Sequence, residues 1–414
     1  MNVSVRAVRP VLQISCCLRC DTVSVGTPKN RTDFPTRQRK QTMNTTEHLH
    51  KLGQSLWLDT ISRELIHSGT LQHYIATYDV TGLTSNPTLY EQAIRADEYY
   101  GEVIQSLSTE ERSDEDIFFE LAIADLTRAA ALFAPVHNKT AGIDGWVSLE
   151  VSPLLANQAT QTIQEAINLH ARAGCANLLI KIPGTPAGLL AFEECIFHGV
   201  PVNVTLLFSS AHYVKCAHAY MRAIERRIQV GLDPAVTSVA SVFISRWDVA
   251  VNSKVDAELH NKLGLAVAQL TNRVYQEVLN SKRWKALAEA GARPQRLLWA
   301  STGSKDPALS DTFYIQELAT PDTINTMPEQ TLLAFGDHGL IGHTMSVDGD
   351  NAKEMLAAFK SAGIDVNALA DQLQSDGTVA FIRSWHALLD MIATKRHANA
   401  GAAVAQARSE PHCV

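Results

Sequence analysis

Eight short apolar runs, at 56–61, 79–83, 145–150, 178–182, 200–208, 236–245, 296–301 and 323–327, constrain this chain more than any other feature. They are rich in β-branched and large apolar side chains, and most are separated by stretches with the three-to-four-residue apolar spacing of a helix. Strands that alternate with helices pair in parallel through crossovers. Eight is the number at which such a sheet closes, so the pattern predicts a single (β/α)8 TIM barrel of the α/β class with extra helices. The competing open, doubly wound sheet usually carries a Gly-rich turn after its first strand, and Leu56-Trp57-Leu58-Asp59-Thr60 has none. Additional helices are predicted at 87–106 and 114–133, over 248–290, and over 351–396, where Met355-Leu356-x-x-Phe359 has helical spacing.

The barrel is predicted to occupy 43–400, with a frayed tail at 401–414. Residues 1–42 differ from the rest: eight Arg or Lys stand against Asp21 and Asp33, a net charge of +6, with little apolar periodicity. They read as a disordered basic extension. A transit-type segment, a regulatory arm and an overlong start upstream of Met43 all fit, the last being favoured. Cys16, Cys17 and Cys20 have no second ligand pair at zinc-site spacing, so no metal site is expected, and the seven Cys make no disulfide framework. The net charge of -7 argues against nucleic acid or an anionic membrane as partner. No apolar run approaches the ~20 residues of a membrane span. A cytoplasmic location is expected.

One residue stands out inside a strand. Lys181 sits in Leu178-Leu179-Ile180-Lys181-Ile182-Pro183, a run that reads as buried on both faces. A lysine so placed finds a carboxylate, snorkels its head to solvent, or loses its proton. The last of these gives the neutral amine that a Schiff-base nucleophile requires.

The other strands decide between these readings. Side chains at the C-terminal strand ends of a barrel converge on one mouth. The polar residues there are Asp59, Thr84-Ser85-Asn86, Glu150, Lys181, Asn203 with Thr205, Ser241 and Ser301. Taken singly, Asp59 or Asn86 could cap a helix, and Arg246 could pair with Asp248. Taken jointly they suit aldol chemistry, in which an amine attacks a ketone and acid-base groups assist dehydration and carbon–carbon cleavage. Glu150 and Asp59 could divide those roles, Asn86 and Asn203 could fix sugar hydroxyls, and Arg246 could hold a phosphate.

At these residues the chain resembles the transaldolases, from about residue 56 to 396. The segments that carry the likeness are Leu56-Trp57-Leu58-Asp59-Thr60-Ile61-Ser62-Arg63, Gly82-Leu83-Thr84-Ser85-Asn86-Pro87, Ser148-Leu149-Glu150-Val151, Leu179-Ile180-Lys181-Ile182-Pro183 and Val202-Asn203-Val204-Thr205-Leu206-Leu207-Phe208. Later, Leu298-Trp299-Ala300-Ser301-Thr302-Gly303-Ser304-Lys305 and Asn325-Thr326-Met327-Pro328 look like the longer bacterial branch.

The resemblance implies a metal-free, cofactor-free enzyme that moves a dihydroxyacetone unit between sugar phosphates in the pentose phosphate pathway. Sedoheptulose 7-phosphate and glyceraldehyde 3-phosphate would give erythrose 4-phosphate and fructose 6-phosphate. Lys181 matches the Schiff-base lysine, Asp59 the base for cleavage, and Glu150 an acid-base group acting through a water that Thr205 helps hold. Asn86, Asn203 and Ser241 match sugar-positioning residues, and Arg246 a phosphate ligand. Where well-known relatives have a second phosphate arginine, this chain has Ser301-Thr302-Gly303-Ser304-Lys305, and Lys305 would substitute as a point charge. A related fructose 6-phosphate aldolase typically has Gln and Tyr where this chain has Glu150 and Phe243, which favours the transferase. A catalytically idle barrel would lack the lysine or its acids. Oligomeric state is left open.

Overall fold

A computed structural model describes residues 45–96, 99–108, 111–346, 348–349 and 351–407, with side chains through His397. The expectations for 1–42, the Cys16 cluster and the end of the tail fall outside the described residues. All eight predicted strands form: β1 (Ser55–Asp59), β2 (Val80–Thr84), β3 (Val147–Glu150), β4 (Leu178–Pro183), β5 (Val202–Leu207), β6 (Ser238–Phe243), β7 (Arg296–Ala300) and β8 (Ile324–Met327). They pair in parallel in chain order, and β8 closes onto β1.

Alternation along each strand splits the core in two. Trp57, Leu179, Val239, Leu298 and Ile324 pack together inside the barrel. Their neighbours Leu56, Leu58, Ile180, Ile182 and Leu297 instead join the larger core between barrel and helices. A strand buried on both faces needs apolar residues at nearly every position, as in Ser55–Asp59 and Arg296–Ala300, whereas β3 and β5 alternate, sending Val147, Leu149, Val202 and Val204 to the larger core and Ser148, Glu150, Asn203 and Thr205 to the other face. Gly82 is required by this packing, because a β-carbon there would fall 2.5 Å from the indole of Trp57.

The helices depart from the predicted boundaries: the one predicted at 114–133 runs from Asp114 to Lys139. The stretch 87–106 forms two helices, Pro87–Ala96 and Tyr99–Leu107, and 248–290 is divided among Ser245–Val251, Leu263–Asn280 and Lys282–Glu289. The last helix is the longest, Val366–Ala407, so it runs on into the segment expected to fray. It packs along Pro87–Ala96, where Thr88 Oγ1 donates to Ser384 Oγ (2.7 Å). Trp385 meets Phe118 edge-on at 4.9 Å between ring centres.

Local sequence fixes the strand-to-helix turns beside the mouth. After β4, Thr185 caps the helix Pro186–Phe197 by accepting from Gly188 N (3.0 Å), with Pro186 in the first turn. Gly188 cannot be larger, since a β-carbon would sit 1.9 Å from the Pro183 carbonyl oxygen. After β5, Ser209 accepts from His212 N (3.1 Å) at the start of Ser210–Gln229. Between Val204 and Leu207 the β5–β6 register shifts, and Leu206 takes a left-handed φ of 59°. That bulge turns the Leu206 carbonyl out of the ladder, where Gln374 of the last helix donates to it (2.9 Å) and to the Gly184 carbonyl (3.0 Å). Among the described residues no helix is long and apolar enough to cross a membrane.

Candidate active site

The strand register places the charged residues in one layer. Glu150 on β3 is the ladder neighbour of Lys181 on β4, which in turn neighbours Asn203 on β5. On the other side Asp59 is aligned with Thr84. Asp59, Thr84 and Glu150 end their strands and Lys181 stands two residues before the end of β4, on the functional side of this architecture, whereas Asn203 is the second residue of β5.

Lys181 is only 4% exposed. Its Nζ donates to the main-chain carbonyl of Ser85 (2.9 Å) and lies 3.1 Å from Glu150 Oε2. Of the three fates open to a buried lysine, this amine has the carboxylate partner. Burial pushes the Glu150 carboxyl above its ordinary range, opposed chiefly by the Lys181 charge. Burial likewise raises Asp59, opposed by Lys181 and by the hydrogen bond that Thr84 Oγ1 donates to its Oδ1 (2.7 Å). Two carboxyls held above their usual range beside an amine are suited to proton transfer near neutral pH.

Two buried groups lack protein partners. Neither Glu150 oxygen has a hydrogen bond apart from the Lys181 ion pair, and Thr205 Oγ1 has none among the described residues. Buried polar atoms are nearly always satisfied, so these point to a ligand or solvent molecule as the intended partner.

A cavity of about 790 Å³ opens above this layer. Asp59, Asn86, Lys181, Thr205, Ser241, Arg246, Ser301 and Lys305, eight of the ten residues singled out from the sequence, line it. Glu150 and Asn203 do not. Each reaches the cavity through a neighbour: Glu150 through Lys181, and Asn203 by accepting from Ser241 Oγ (2.7 Å) while its Nδ2 donates to Ser148 Oγ (3.3 Å). Asn86 has two roles, lining the wall while its Oδ1 caps the next helix through Leu89 N (3.1 Å). Ser301 holds a left-handed φ of 56° and its Oγ pairs with Ser245 Oγ (2.9 Å).

Arg246 does not pair with Asp248. That carboxylate is occupied by Gly264 N (3.0 Å) and the Tyr314 hydroxyl (2.7 Å). The guanidinium lies instead against two aromatic rings, 5.1 Å from the centre of Phe243 and 5.9 Å from that of Phe381. Burial lowers its proton affinity, and the charges of Glu150 and Asp59 oppose that shift. Lys181, Arg246 and Lys305 outnumber Asp59 and Glu150 around the cavity, a balance that suits an anionic ligand.

Sequence reasoning did not find Phe381 and Leu373, which the last helix brings to the wall, or Thr326 and Ser245. Thr326 was detectable as a strand-end polar residue, its hydroxyl lying 2.7 Å from that of Thr84. Ser85 acts through its carbonyl, which no side-chain pattern announces. Among the described residues no group of three or more His, Cys, Asp or Glu is placed to hold a metal ion.

Comparison with known proteins gives one consistent result. The family described as Transaldolase/Fructose-6-phosphate aldolase matches residues 56–392. The transaldolase of Renibacterium salmoninarum is 42% identical over 360 residues, spanning 85% of this chain and 96% of its own. That of Frankia alni is 40% identical over 359 residues, spanning 84% and 97%. That of Thiobacillus denitrificans is 40% identical over 358 residues and is spanned in full.

Proposed function

The chain belongs to the transaldolase/fructose-6-phosphate aldolase family and has transaldolase activity, and from that premise we propose that Lys181 carries the dihydroxyacetone unit as a Schiff base between phosphorylated sugars of the pentose phosphate pathway. The observation that carries this reading is the buried Lys181–Glu150 pair at 3.1 Å, opening onto a cavity rich in polar and cationic groups.

Glu150 takes a proton from the paired Lys181 ammonium, and the neutral Nζ attacks the C2 ketone of fructose 6-phosphate. Glu150, through a water held by Thr205 Oγ1, moves the protons by which the carbinolamine loses water to a protonated imine. Asp59 then takes the proton of the C4 hydroxyl as the C3–C4 bond breaks, glyceraldehyde 3-phosphate leaves, and the bonding electrons pass into the imine to form an enamine. The enamine carbon attacks the aldehyde of erythrose 4-phosphate, Asp59 returns its proton to the new hydroxyl, and hydrolysis releases sedoheptulose 7-phosphate and the amine. Ser241 and Asn86 hold sugar hydroxyls, Asn203 orients Ser241, and Arg246, Lys305 and Ser301 form the phosphate-binding side. No cofactor takes part, and the cytoplasm is the proposed location. The basic extension at 1–42 is proposed to lie outside the enzyme proper.

Borohydride reduction in the presence of fructose 6-phosphate, followed by peptide mass mapping, tests the covalent step. A reduced three-carbon adduct on Lys181 is expected, and adding erythrose 4-phosphate should discharge it before reduction. An adduct on another lysine, or none from folded protein, would refute the assignment. Discharge by water at an equal rate would favour an aldolase.

A further inference from the structure

The last helix contributes more to the site than a wall. Gln374, Gly377 and Phe381 are spaced by three and four residues and therefore form one stripe along that helix. Gln374 anchors the stripe to the carbonyls of Gly184 and Leu206 at the ends of β4 and β5. At Gly377 a β-carbon would lie 3.2 Å from Arg246 Nη1 and 2.9 Å from Leu206 Cδ2, so a larger residue there would displace the guanidinium by a few tenths of an ångström. Phe381, one turn on and 4% exposed, then places its ring between two cations, 5.9 Å from Arg246 and 5.8 Å from Lys181 Nζ. With Phe243 it flanks the guanidinium, and no carboxylate among the described residues lies within ion-pair distance of Arg246.

An aromatic face stabilises a guanidinium through the ring quadrupole without consuming any of its N–H groups. A carboxylate partner would occupy one or two donors and compete with a phosphate for the rest. We propose that Phe381 is a positioning residue for the substrate phosphate: with Gly377 it holds Arg246 in the cavity with its donors unspent. The inference rests on the transaldolase reading of the site, and it assigns the last helix a part in recognising the phosphorylated end of the sugar.

The test uses the full chain with Phe381→Leu, which keeps apolar volume and removes the ring face. Inorganic phosphate binding, measured by calorimetry, is expected to weaken about tenfold, the scale of one desolvated cation–π contact. The KM for fructose 6-phosphate should rise by a similar factor, about tenfold, with kcat nearly held. Because the ring also lies 5.8 Å from Lys181 Nζ, borohydride trapping of unphosphorylated dihydroxyacetone on Lys181 is the control, and it should slow by clearly less than phosphate binding weakens, since that ketone does not use Arg246. Phe381→Tyr, which restores the ring, should bring phosphate binding back to within about twofold of wild type. Unchanged phosphate binding in Phe381→Leu, or equal slowing of dihydroxyacetone trapping, would overturn the proposal by placing the effect on Lys181 or on the fold. If the wild-type protein trapped neither ketone, the Schiff-base reading would fail while the calorimetry still decided the role of Phe381.

Discussion

The two ends of the barrel each bury a cation beside a carboxylate, and they differ in what is left unsatisfied. At the N-terminal end Arg296 donates to Ser55 Oγ (2.8 Å) and to the Thr323 carbonyl (3.0 Å), and lies 3.7 Å from Asp144. Asp144 accepts from Trp57 Nε1 (2.8 Å) on one oxygen and from Ser55 Oγ on the other. Every charged group in that network is answered within the protein. At the mouth, Lys181 and Glu150 are buried as deeply, yet among the described residues the Glu150 oxygens have no partner apart from the Lys181 ion pair and Thr205 Oγ1 has none; at the N-terminal end the amide oxygens of Gln54 and Gln295 also lack one, but they are uncharged. A satisfied network rigidifies and specifies the fold, whereas an unsatisfied one is a standing cost that persists where a ligand supplies the missing bonds. On the proposed reading, the same chemistry serves stability at one end and reaction at the other.

Replacing the nucleophile should separate the two ends most sharply. Lys181→Ala is expected to lower turnover on the order of 10⁵-fold and abolish borohydride trapping, with the circular dichroism spectrum unchanged. Substantial residual transfer by that variant would move the covalent step elsewhere.

Next in size is Glu150→Gln, for which turnover should drop about 10²- to 10⁴-fold. Because Asp59 and Glu150 are raised by burial, the acid limb of the wild-type rate should lie above the ordinary carboxylate range. The sign for stability is opposite to that of an ion-paired surface acid. The contribution of a raised carboxyl is full below the unfolded value near pH 4 and is lost as pH rises through the elevated folded value. Glu150→Gln should therefore hold its melting temperature better than wild type as pH rises above about 4. A steeper loss in the variant would mean that the Lys181 ion pair outweighs burial.

At the opposite end, Asp144→Asn leaves Arg296 without a counter-charge. A loss of about 3 kcal/mol, seen as a melting point lower by roughly 5 °C, is expected with kcat within about twofold. A fall in kcat matching that of Glu150→Gln would erase the distinction between the ends. The smallest effect belongs to deletion of residues 1–42, which should leave steady-state constants unchanged, and any large loss would give that extension a part in the barrel.

How much of this was legible in the sequence follows from where the information sits. Most strands announced themselves because a doubly buried strand is apolar at nearly every position, and Lys181 stood out for the same reason: it interrupts such a run. The cavity-lining residues were legible as polar side chains at strand ends. What stayed hidden depends on tertiary placement. Phe381 belongs to a helix whose apolar pattern reads like any core-facing helix, and only its position over the mouth sets it beside Arg246. The Ser85 carbonyl and the Leu206 bulge are backbone features without a side-chain signature. Asn203 did not sit at the strand end: it is the second residue of β5, below the cavity-lining Thr205, and meets the cavity only through Ser241. The Asp248 alternative for Arg246 failed because Gly264 and Tyr314, distant in sequence, claim that carboxylate.

The helix that closes the mouth is also the last part of the barrel to be synthesised. Phe381 leaves the ribosome about fifty residues after β8, an interval of roughly 3–10 s at 5–20 residues per second. During that time all eight strands and Lys181 exist, while Arg246 lacks its second ring and the Leu206 carbonyl its side-chain donor. On the proposed assignments, the residues of the covalent step are therefore synthesised before the ring that completes the phosphate side, so substrate discrimination would have its own birth date, later than that of the nucleophile.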